Sequence, residues 1–509
     1  MRRWLVVPFL LAGVPLTAVA QEVPDTFAVR PLATAGLSLA DALGQGRARS
    51  PAYLQVLNNA GPARWGVRNA YGNFLPSLNV SGGVGYTGSG QSQFGAFFRP
   101  TSPFWNSNYQ IGFAWQFDGR VLAGPGQQTA LQRATNEEIE DAGVGLRADI
   151  TTQYLNTLAA VAQTEVAREQ VKRNNEFLRL ARARHQVGQA TLLDVRQAEA
   201  TQATSEVALL QAYQAENDAK LELFRRMGVT PPAPIQQIEL TDSFPVVPPV
   251  YNRDELLKMA EEQNPSLKAL RERETAARAN VRAVRSDFFP RLTAQAGWSG
   301  FTQQFTNENL LLDQQLATGQ QAAAQCQFDN QVRAGLNLGG IVPDCFGPNG
   351  LDPTGTMLSP TTAQQVHNGN NVFPFSFTGQ PFQAALTISL PIFTGFSRHL
   401  QLAEARAQQQ DADESVRAQA LLVQANVESR YLALGAAYQA IGAQATGRDA
   451  AREQLRLAQD RYRVGLGSAL EVSDAQNAVQ KAEGDYVAAV YAYHRAITAL
   501  EAAVGRPLR

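Results

Sequence analysis

The sequence predicts a mainly α-helical fold with four membrane-type β-strands, built from a helix–strand–strand–long helix–helix unit that occurs twice. The first observation is that Arg461–Ala475 (RYRVGLGSALEVSDA) matches Arg184–Ala198 (RHQVGQATLLDVRQA) at a constant spacing of 277 residues. The second is that each copy lies between two long segments of helical periodicity. The third is a pair of segments in each half that alternate between apolar and polar residues. An internal duplication is the simplest account of these spacings.

The N-terminal segment predicts export from the cytoplasm. Arg2 and Arg3 precede an apolar run that is followed by a small-residue Ala-Val-Ala site ending at Ala20. This pattern is typical of a secretory signal, so we expect a signal peptide over residues 1–20. After it, no apolar run reaches the roughly 20 residues that a membrane-spanning helix needs. If the protein enters a membrane, it does so as strands. The formal net charge of −1 gives no argument for a nucleic-acid partner.

Each half opens with helical spacing that leads into a Pro-containing exit. The predicted helices cover residues 37–72 and 252–286, with Pro51 and Pro265 at equivalent places. Pro76 and Pro290 mark the exits, and both pairs of prolines are 214 residues apart. No insertion is therefore needed to align these parts of the two repeats.

Four strands are predicted, at about residues 75–87, 108–118, 289–301 and 381–393. The clearest is the second, where Tyr109, Ile111, Phe113, Trp115 and Phe117 alternate with small or polar residues. Segments of about nine to eleven residues suit a tilted membrane strand. A soluble sheet with one apolar face would also alternate. The aromatic content of the apolar faces and the small, polar opposite faces favour a lipid face and a wet lumen.

Long helical hairpins are predicted over residues 120–228 and 396–505. Their tips lie at Gly188 and Gly465, because a Gly followed three residues later by Thr or Ser is typical of a helix C-cap and a new N-cap. The first helix of each hairpin would span roughly 100 Å if continuous. The narrow apolar stripe with frequent Ala suits coiled-coil packing.

Two further segments complete the organisation. A Pro-rich linker, residues 229–250, separates the first repeat (21–228) from the second (251–505). A segment rich in Gln, Asn, Gly and Pro, about 302–380, is predicted to be a long extracellular loop. Within it, Cys326 and Cys345 suit a disulfide in an exported chain, and two free thiols are the alternative. A metal site there is disfavoured because no His lies near enough in sequence.

The strand count predicts an oligomer. Four strands cannot close a barrel, and open edges in lipid leave unpaired backbone groups. With its duplication, its Pro positions and its two Val-Gly tips followed by Leu-Asp-Val or Leu-Glu-Val, the chain resembles the TolC-like outer-membrane efflux family from about Leu37 to Gly505. The resemblance implies a homotrimer with a shared twelve-stranded barrel in the outer membrane of a Gram-negative bacterium and a twelve-helix periplasmic tunnel. It also implies the exit duct of a tripartite efflux or type I secretion system, with a periplasmic adaptor (membrane fusion protein) and an inner-membrane transporter as partners.

Acidic residues near the second tip are candidates for an aperture. Glu471 and Asp474 are three residues apart, hence on one helix face, and a threefold axis would turn them into rings that bind cations. The resemblance implies that both line the periplasmic aperture, and that Tyr462 and Asp194 hydrogen-bond to hold it closed. The alternative for each acid is a solvated helix face.

The chain departs from the family pattern at two positions near the tips. Gln197 stands in the first repeat where the second has Asp474, and Gly467 stands where the best-known member has an Arg that helps to lock the aperture. The closed state is therefore expected to be held more weakly or by other contacts.

The tips themselves are candidate docking sites. The resemblance implies adaptor docking by the following residues: Val187, Gly188, Val464, Gly465 and Leu466. Helix capping is the plain alternative, and one tip can serve both roles.

An enzyme is not expected. The chain has four His, none paired at metal-ligand spacing, and no nucleophile motif of the G-x-S-x-G kind, so we expect neither a metal nor a cofactor. A periplasmic coiled-coil scaffold or adaptor without a barrel is the remaining alternative, although it leaves the four alternating strands unexplained.

Overall fold

The computed structural model describes residues 36–94 and 97–508. The predicted signal peptide, residues 1–20, lies outside the described residues. The described chain forms two compact units. One comprises the chain up to Gly66 together with Gln127–Arg278 and from Ala407 onward; the other comprises Val67–Gly126 and Ala279–Arg406.

Helices account for most of the described chain. They are α1 Leu39–Arg49, α2 Pro51–Leu57, α3 Ala60–Gly72, α4 Gly119–Gln186, α5 Leu192–Met227, α6 Arg253–Gln263, α7 Pro265–Arg285, α8 Asn309–Gly335, α9 Pro360–Asn370, α10 Ser397–Arg463 and α11 Ala469–Val504. Short 3-10 turns cover Ile235–Gln237, Ser286–Phe288 and Gly347–Asn349. None of the helices described between residues 36 and 508 combines the length and the apolar character that crossing a membrane requires.

The strands are shorter than the helices and contain fewer of the described residues. They are β1 Gly36–Leu37, β2 Ser77–Thr87, β3 Gly90–Phe94, β4 Phe97–Thr101, β5 Phe104–Phe117, β6 Glu239–Leu240, β7 Arg291–Phe305, β8 Thr378–Gly379 and β9 Gln383–Ser389.

Proline divides the opening helix of each repeat. The predicted helix 37–72 is three helices, and the predicted helix 252–286 is two followed by a 3-10 turn. Pro51 and Pro265 each occupy the first position of a new helix. The residues before them, Ser50 and Asn264, have extended ψ angles of 118° and 120°. A proline disfavours the helical conformation in the residue before it, and it fits the first turn of the helix that follows.

The main sheet is antiparallel. Its order is β2–β5–β7, with β9 and the short β8 both pairing with β7. Opposed residues include Leu78 with Phe113, and Leu292 with Ile388. Within the described residues, β2 pairs only with β5 and β9 only with β7, so each has one open edge.

The two faces of this sheet differ in chemistry. Because side chains alternate along a strand, the register places most of the large apolar residues of the four long strands on one face; Phe104, Phe301 and Phe305, near the ends of β5 and β7, lie on the other. The apolar face is exposed: Val80 is 71% and Leu386 67% accessible. The opposite face carries amide, hydroxyl and small side chains and borders a cavity of about 600 Å³; its members include Asn79, Ser81, Gln110, Gly112, Gln295, Gly297, Ser299 and Gln383.

The segment predicted as a long extracellular loop, residues 302–380, contains helices and short strands. Strand β7 continues to Phe305, and helices α8 and α9 follow. The extracellular position of this loop stays a prediction. The sequence pattern did not indicate α8, because its Ala, Gln and Leu residues are good helix formers whose periodicity is weak. Ser359 caps α9 and Pro360 begins it. Cys326 and Cys345 form a disulfide, with their Cα atoms 5.7 Å apart.

Strand β9 and the connection between the first two long strands also differ from the sequence pattern. Strand β9 covers seven residues rather than the predicted 381–393. Pro381 and Pro391 lie just outside it, and proline cannot donate to a ladder. In the first half, the connection between the two long strands contains the small hairpin β3–β4.

Candidate functional site at the helical tips

The two hairpin tips have the same backbone design. Gly188 and Gly465 adopt left-handed φ angles of 77° and 85°. Gln189 N–H donates to the Arg184 carbonyl at 2.8 Å, and Leu466 N–H donates to the Arg461 carbonyl at 2.9 Å. A glycine tolerates this conformation without steric cost and so ends each long helix.

Apolar side chains project from both tips. Val187 is 69%, Val464 70% and Leu466 76% accessible. Leu193 and Leu470, in the first turns of α5 and α11 just after the tips, are exposed as well. The tips therefore present a small apolar surface that no other part of the described chain covers.

The two N-caps that follow the tips use their acids differently. The Asp194 carboxylate accepts hydrogen bonds from the backbone N–H and the hydroxyl of Thr191, both at 2.8 Å, in a capping box. Ser468 caps α11 by accepting from Glu471 N–H at 3.2 Å. The Glu471 carboxylate lies 3.8 Å from Arg461 Nη2 and is half-exposed. Asp194 is thus engaged locally, whereas Glu471 is held loosely.

Asp474 lies one turn beyond Glu471 on α11. Both side chains are exposed, whereas Val472, Ser473 and Ala475 between and beside them are buried. Asp474 makes no ion pair with the described residues. The two acids therefore share an exposed helix face and their charges are available to an ion.

Tyr462 is buried at the base of the second tip. Its ring lies 5.3 Å from that of Phe177 and beneath the Arg184 guanidinium. Its Oη has no hydrogen-bond partner among the described residues. Burial raises the pKa of the Tyr462 phenol, the Asp194 carboxylate adds to the rise, and Arg184 opposes it. The hydrogen bond to Asp194 that the resemblance implied is not made within the single chain described.

A shared core joins the two hairpins behind the tips. It contains equivalent residues of the two repeats: Leu178 with Leu455, Val195 with Val472, and Ala198 with Ala475. Thr201 Oγ1 and Ser473 Oγ lie 3.1 Å apart and connect α5 to α11. This packing fixes where Glu471 and Asp474 lie relative to the first tip.

Sequence reasoning missed two features of this region. Arg184 bridges the tips, and its only sequence signal is that it aligns with Arg461 in the repeat. Further along the hairpins, Glu483 accepts from both Arg173 at 3.2 Å and Arg452 at 3.0 Å, which links α4, α10 and α11. Nothing in the local pattern of Glu483 distinguishes it from the many exposed acids.

Comparison with known proteins decides the family. The family model for outer membrane efflux proteins matches residues 43–229 and 358–506, which is more than half of the chain. The chain belongs to the outer membrane efflux protein family. This confirms the predicted family and the outer-membrane location. Residues 230–357, which include most of the segment between β7 and β9, lie outside the match.

Named relatives cover only part of the chain. The toluene efflux pump outer membrane protein TtgF of Pseudomonas putida is 29% identical over 180 residues, 34% of this chain and 36% of the relative. The pyoverdine export outer membrane protein OpmQ of Pseudomonas aeruginosa is 25% identical over 237 residues, 44% of this chain and 48% of the relative. The matched region thus spans less than half the length of each.

Solved structures match far more of the chain. The outer membrane protein VceC of Vibrio cholerae superposes with a TM-score of 0.64 at 18% identity, covering 92% of this chain and 97% of that one. The likeness confirms the predicted fold class.

Proposed function

We propose that this protein is the exit channel of a tripartite efflux or type I secretion system. It conducts substrates passively across the outer membrane, and a periplasmic adaptor with an inner-membrane transporter delivers them. Family membership supports this function. The main structural observation in its favour is the sheet whose outer strands, β2 and β9, each have one unpaired edge in the described chain.

The sheet supports a homotrimer. The free edges of β2 and β9 would each leave a row of unpaired backbone groups in lipid, at several kcal/mol per group. If β9 of one copy pairs with β2 of the next, three copies close a barrel of twelve long strands. The apolar face then contacts outer-membrane lipid, and the face with Asn79, Gln110 and Gln295 lines a wet lumen.

The acids at the tip support a cation-binding aperture. In a trimer, Glu471 and Asp474 form two rings of three carboxylates one helical turn apart. Both side chains are exposed; Glu471 makes a long ion pair of 3.8 Å with Arg461, and Asp474 makes none with the described residues, so both charges can act on ions in the pore. Asp194 and Tyr462 support this aperture through the structure of the tips. Asp194 caps α5, and Tyr462 packs in the core that joins the two hairpins.

The exposed apolar tips support docking to the adaptor. Val187, Val464 and Leu466 project beyond the left-handed glycines Gly188 and Gly465, which hold the turns in one shape. A small exposed apolar tip suits a transient contact with a partner.

The substrate is not assigned. The relatives TtgF and OpmQ are named for toluene efflux and for pyoverdine export, so family membership does not select one substrate class.

Planar-bilayer recording of the purified, reconstituted protein tests this function. We expect discrete single-channel steps with a preference for cations. A protein that remains in solution without detergent and produces no conductance would contradict the channel and would favour the periplasmic scaffold.

A further inference from the structure

A tight aromatic turn ends the segment between β7 and β9 and lies on the apolar face of the sheet. Ser376 N–H donates to the Val372 carbonyl at 2.9 Å and closes the turn. The Phe373 ring lies 5.4 Å from that of Trp105, and the Phe377 ring lies 4.9 Å from that of Tyr109. Trp105 and Tyr109 alternate with the polar residues of β5, so they belong to the apolar face.

Polar contacts also hold this turn against β5 and β7. Ser107 and Thr302 face each other across β5 and β7, and their hydroxyl oxygens lie 2.7 Å apart. Both are buried, and the Ser107 hydroxyl donates to the Pro374 carbonyl at 2.6 Å. The Gln304 side-chain carbonyl accepts from Phe373 N–H at 3.0 Å. The turn therefore satisfies a polar pair that would otherwise be exposed within an apolar surface.

The chain entering the turn is anchored to the end of β7. The Asn370 side-chain oxygen accepts from Phe305 N–H at 2.8 Å, and its amide nitrogen donates to the Phe305 carbonyl at 3.0 Å. The Asn370 side chain thereby pairs with the backbone of the last residue of β7, as a neighbouring strand would. The turn is a built feature of the sheet rather than a loose connection.

Phe375 projects from this turn. It is 81% accessible, and residues 372–380 contain no charged side chain. Single exposed apolar residues are common on any surface. Here, however, Tyr86 and Trp105 lie beside the turn with their rings 4.9 Å apart, and both are about half-exposed. Aromatic residues clustered at the end of an apolar band are typical of the boundary between acyl chains and headgroups.

We propose that the turn Val372–Phe377 inserts Phe375 into membrane lipid, at the acyl–headgroup boundary of the leaflet next to the segment between β7 and β9. The occupant is lipid because the turn continues an exposed apolar face and carries no charge. This inference rests on the proposed function, in which that face contacts lipid. It assigns a membrane contact to a turn that lies inside the family match, at the end of a segment whose larger part, up to residue 357, lies outside it.

Collision accessibility of a nitroxide at position 375 tests the proposal. Phe375→Cys is labelled in the full protein, reconstituted in vesicles of phosphatidylethanolamine and phosphatidylglycerol; the two native cysteines are disulfide-bonded and do not react. Leu386→Cys on the sheet face is the lipid reference, and Phe328→Cys on α8 is the water reference; both positions are more than half exposed.

We expect the ratio of oxygen to nickel-chelate collisions at 375 to approach that at 386 and to exceed that at 328 several-fold. A ratio equal to that at 328 would overturn the proposal, because the turn would then lie in water. A label shielded from both reagents would also overturn it, because protein would then cover the turn. If position 386 is water-accessible too, the sheet face does not contact lipid, and the proposed function fails with it.

Discussion

The Arg184 guanidinium lies over the ring of Tyr462, with its central carbon 4.6 Å from the ring centre. Its Nη1 donates to the Tyr462 carbonyl, and its Nη2 donates to the Gln189 carbonyl at 3.1 Å. The equivalent residue of the second repeat, Arg461, instead stays within its own hairpin and donates to Leu466. Among the described contacts, the duplicated tips are therefore joined by Arg184 and not by its counterpart Arg461.

Replacing Arg184 by Met should loosen the junction between the hairpins. Met keeps an apolar stem but loses the hydrogen bonds and the cation–π contact, so we expect a loss of about 1–3 kcal/mol at the tip and a higher single-channel conductance. Arg461→Met is the matched control and should change both much less. Bilayer recording of the two variants compares their conductance, and thermal unfolding compares their stability. Equal effects would show that Arg184 is not a special link.

Tyr462→Phe should leave the tip as stable as before, or more stable. The Tyr462 hydroxyl is buried without a hydrogen-bond partner among the described residues, so its removal loses no bond seen there and relieves desolvation. Conductance should stay unchanged. An open, destabilised Tyr462→Phe channel would mean that the hydroxyl binds Asp194 in the assembled protein, as the family resemblance implied.

Burial of Tyr462 also predicts that the tip loses stability at high pH. Because burial raises the pKa of Tyr462, the folded phenol stays neutral where the unfolded one, with an ordinary pKa of about 10, already ionises. The tip contact is therefore fully stable below pH 10 and weakens as the pH rises through the folded value. Absorbance titration of the tyrosinate, compared with Tyr462→Phe, measures this. A tyrosine at 462 that ionises at its ordinary pKa would contradict the packing described.

Glu471 and Asp474 are expected to set ion selectivity. Replacing both by Ala should raise conductance and lower the K⁺ over Cl⁻ permeability ratio toward one, because six carboxylates leave the aperture of a trimer. Gln197→Asp adds an acid at the first-repeat position equivalent to Asp474 and should change the ratio in the opposite direction. Reversal potentials in a salt gradient give both ratios. Unchanged conductance and selectivity would exclude the two acids from the aperture.

Neighbouring residues of β9 offer a direct test of the two sheet faces. Leu386 lies on the exposed apolar face and Thr387 on the polar one. Leu386→Arg should destabilise the membrane-inserted protein by up to about 2–4 kcal/mol, the cost of arginine at mid-membrane. Thr387→Arg should be tolerated in a wet lumen. Urea unfolding in lipid vesicles compares them, and equal destabilisation would contradict the assignment of the faces.

Much of the architecture could be predicted because it repeats or alternates. The spacing of 277 residues places Gly188 and Gly465 at equivalent tips, where both have left-handed backbones. Alternation along β5 predicts an apolar and a polar face, and the register of the sheet separates the two.

Other features depend on contacts that no local pattern encodes. The bridge from Arg184 to Tyr462 arises from the packing of α4 against α10, and an alignment of repeats predicts equivalence rather than contact. The capping box of Asp194 uses Thr191, so the carboxylate that the resemblance assigned to Tyr462 has a nearer partner. Helix α8 was missed because Gln and Ala form helices without a strong apolar stripe.

The central claim is that three chains share one barrel, and the mass of the detergent-extracted protein tests it most directly. Light scattering with the detergent contribution subtracted should give about three times the mass of one mature chain, because only joined edges of β2 and β9 satisfy the backbone in lipid. A monomer that is stable in water without detergent would contradict the account and favour a periplasmic scaffold.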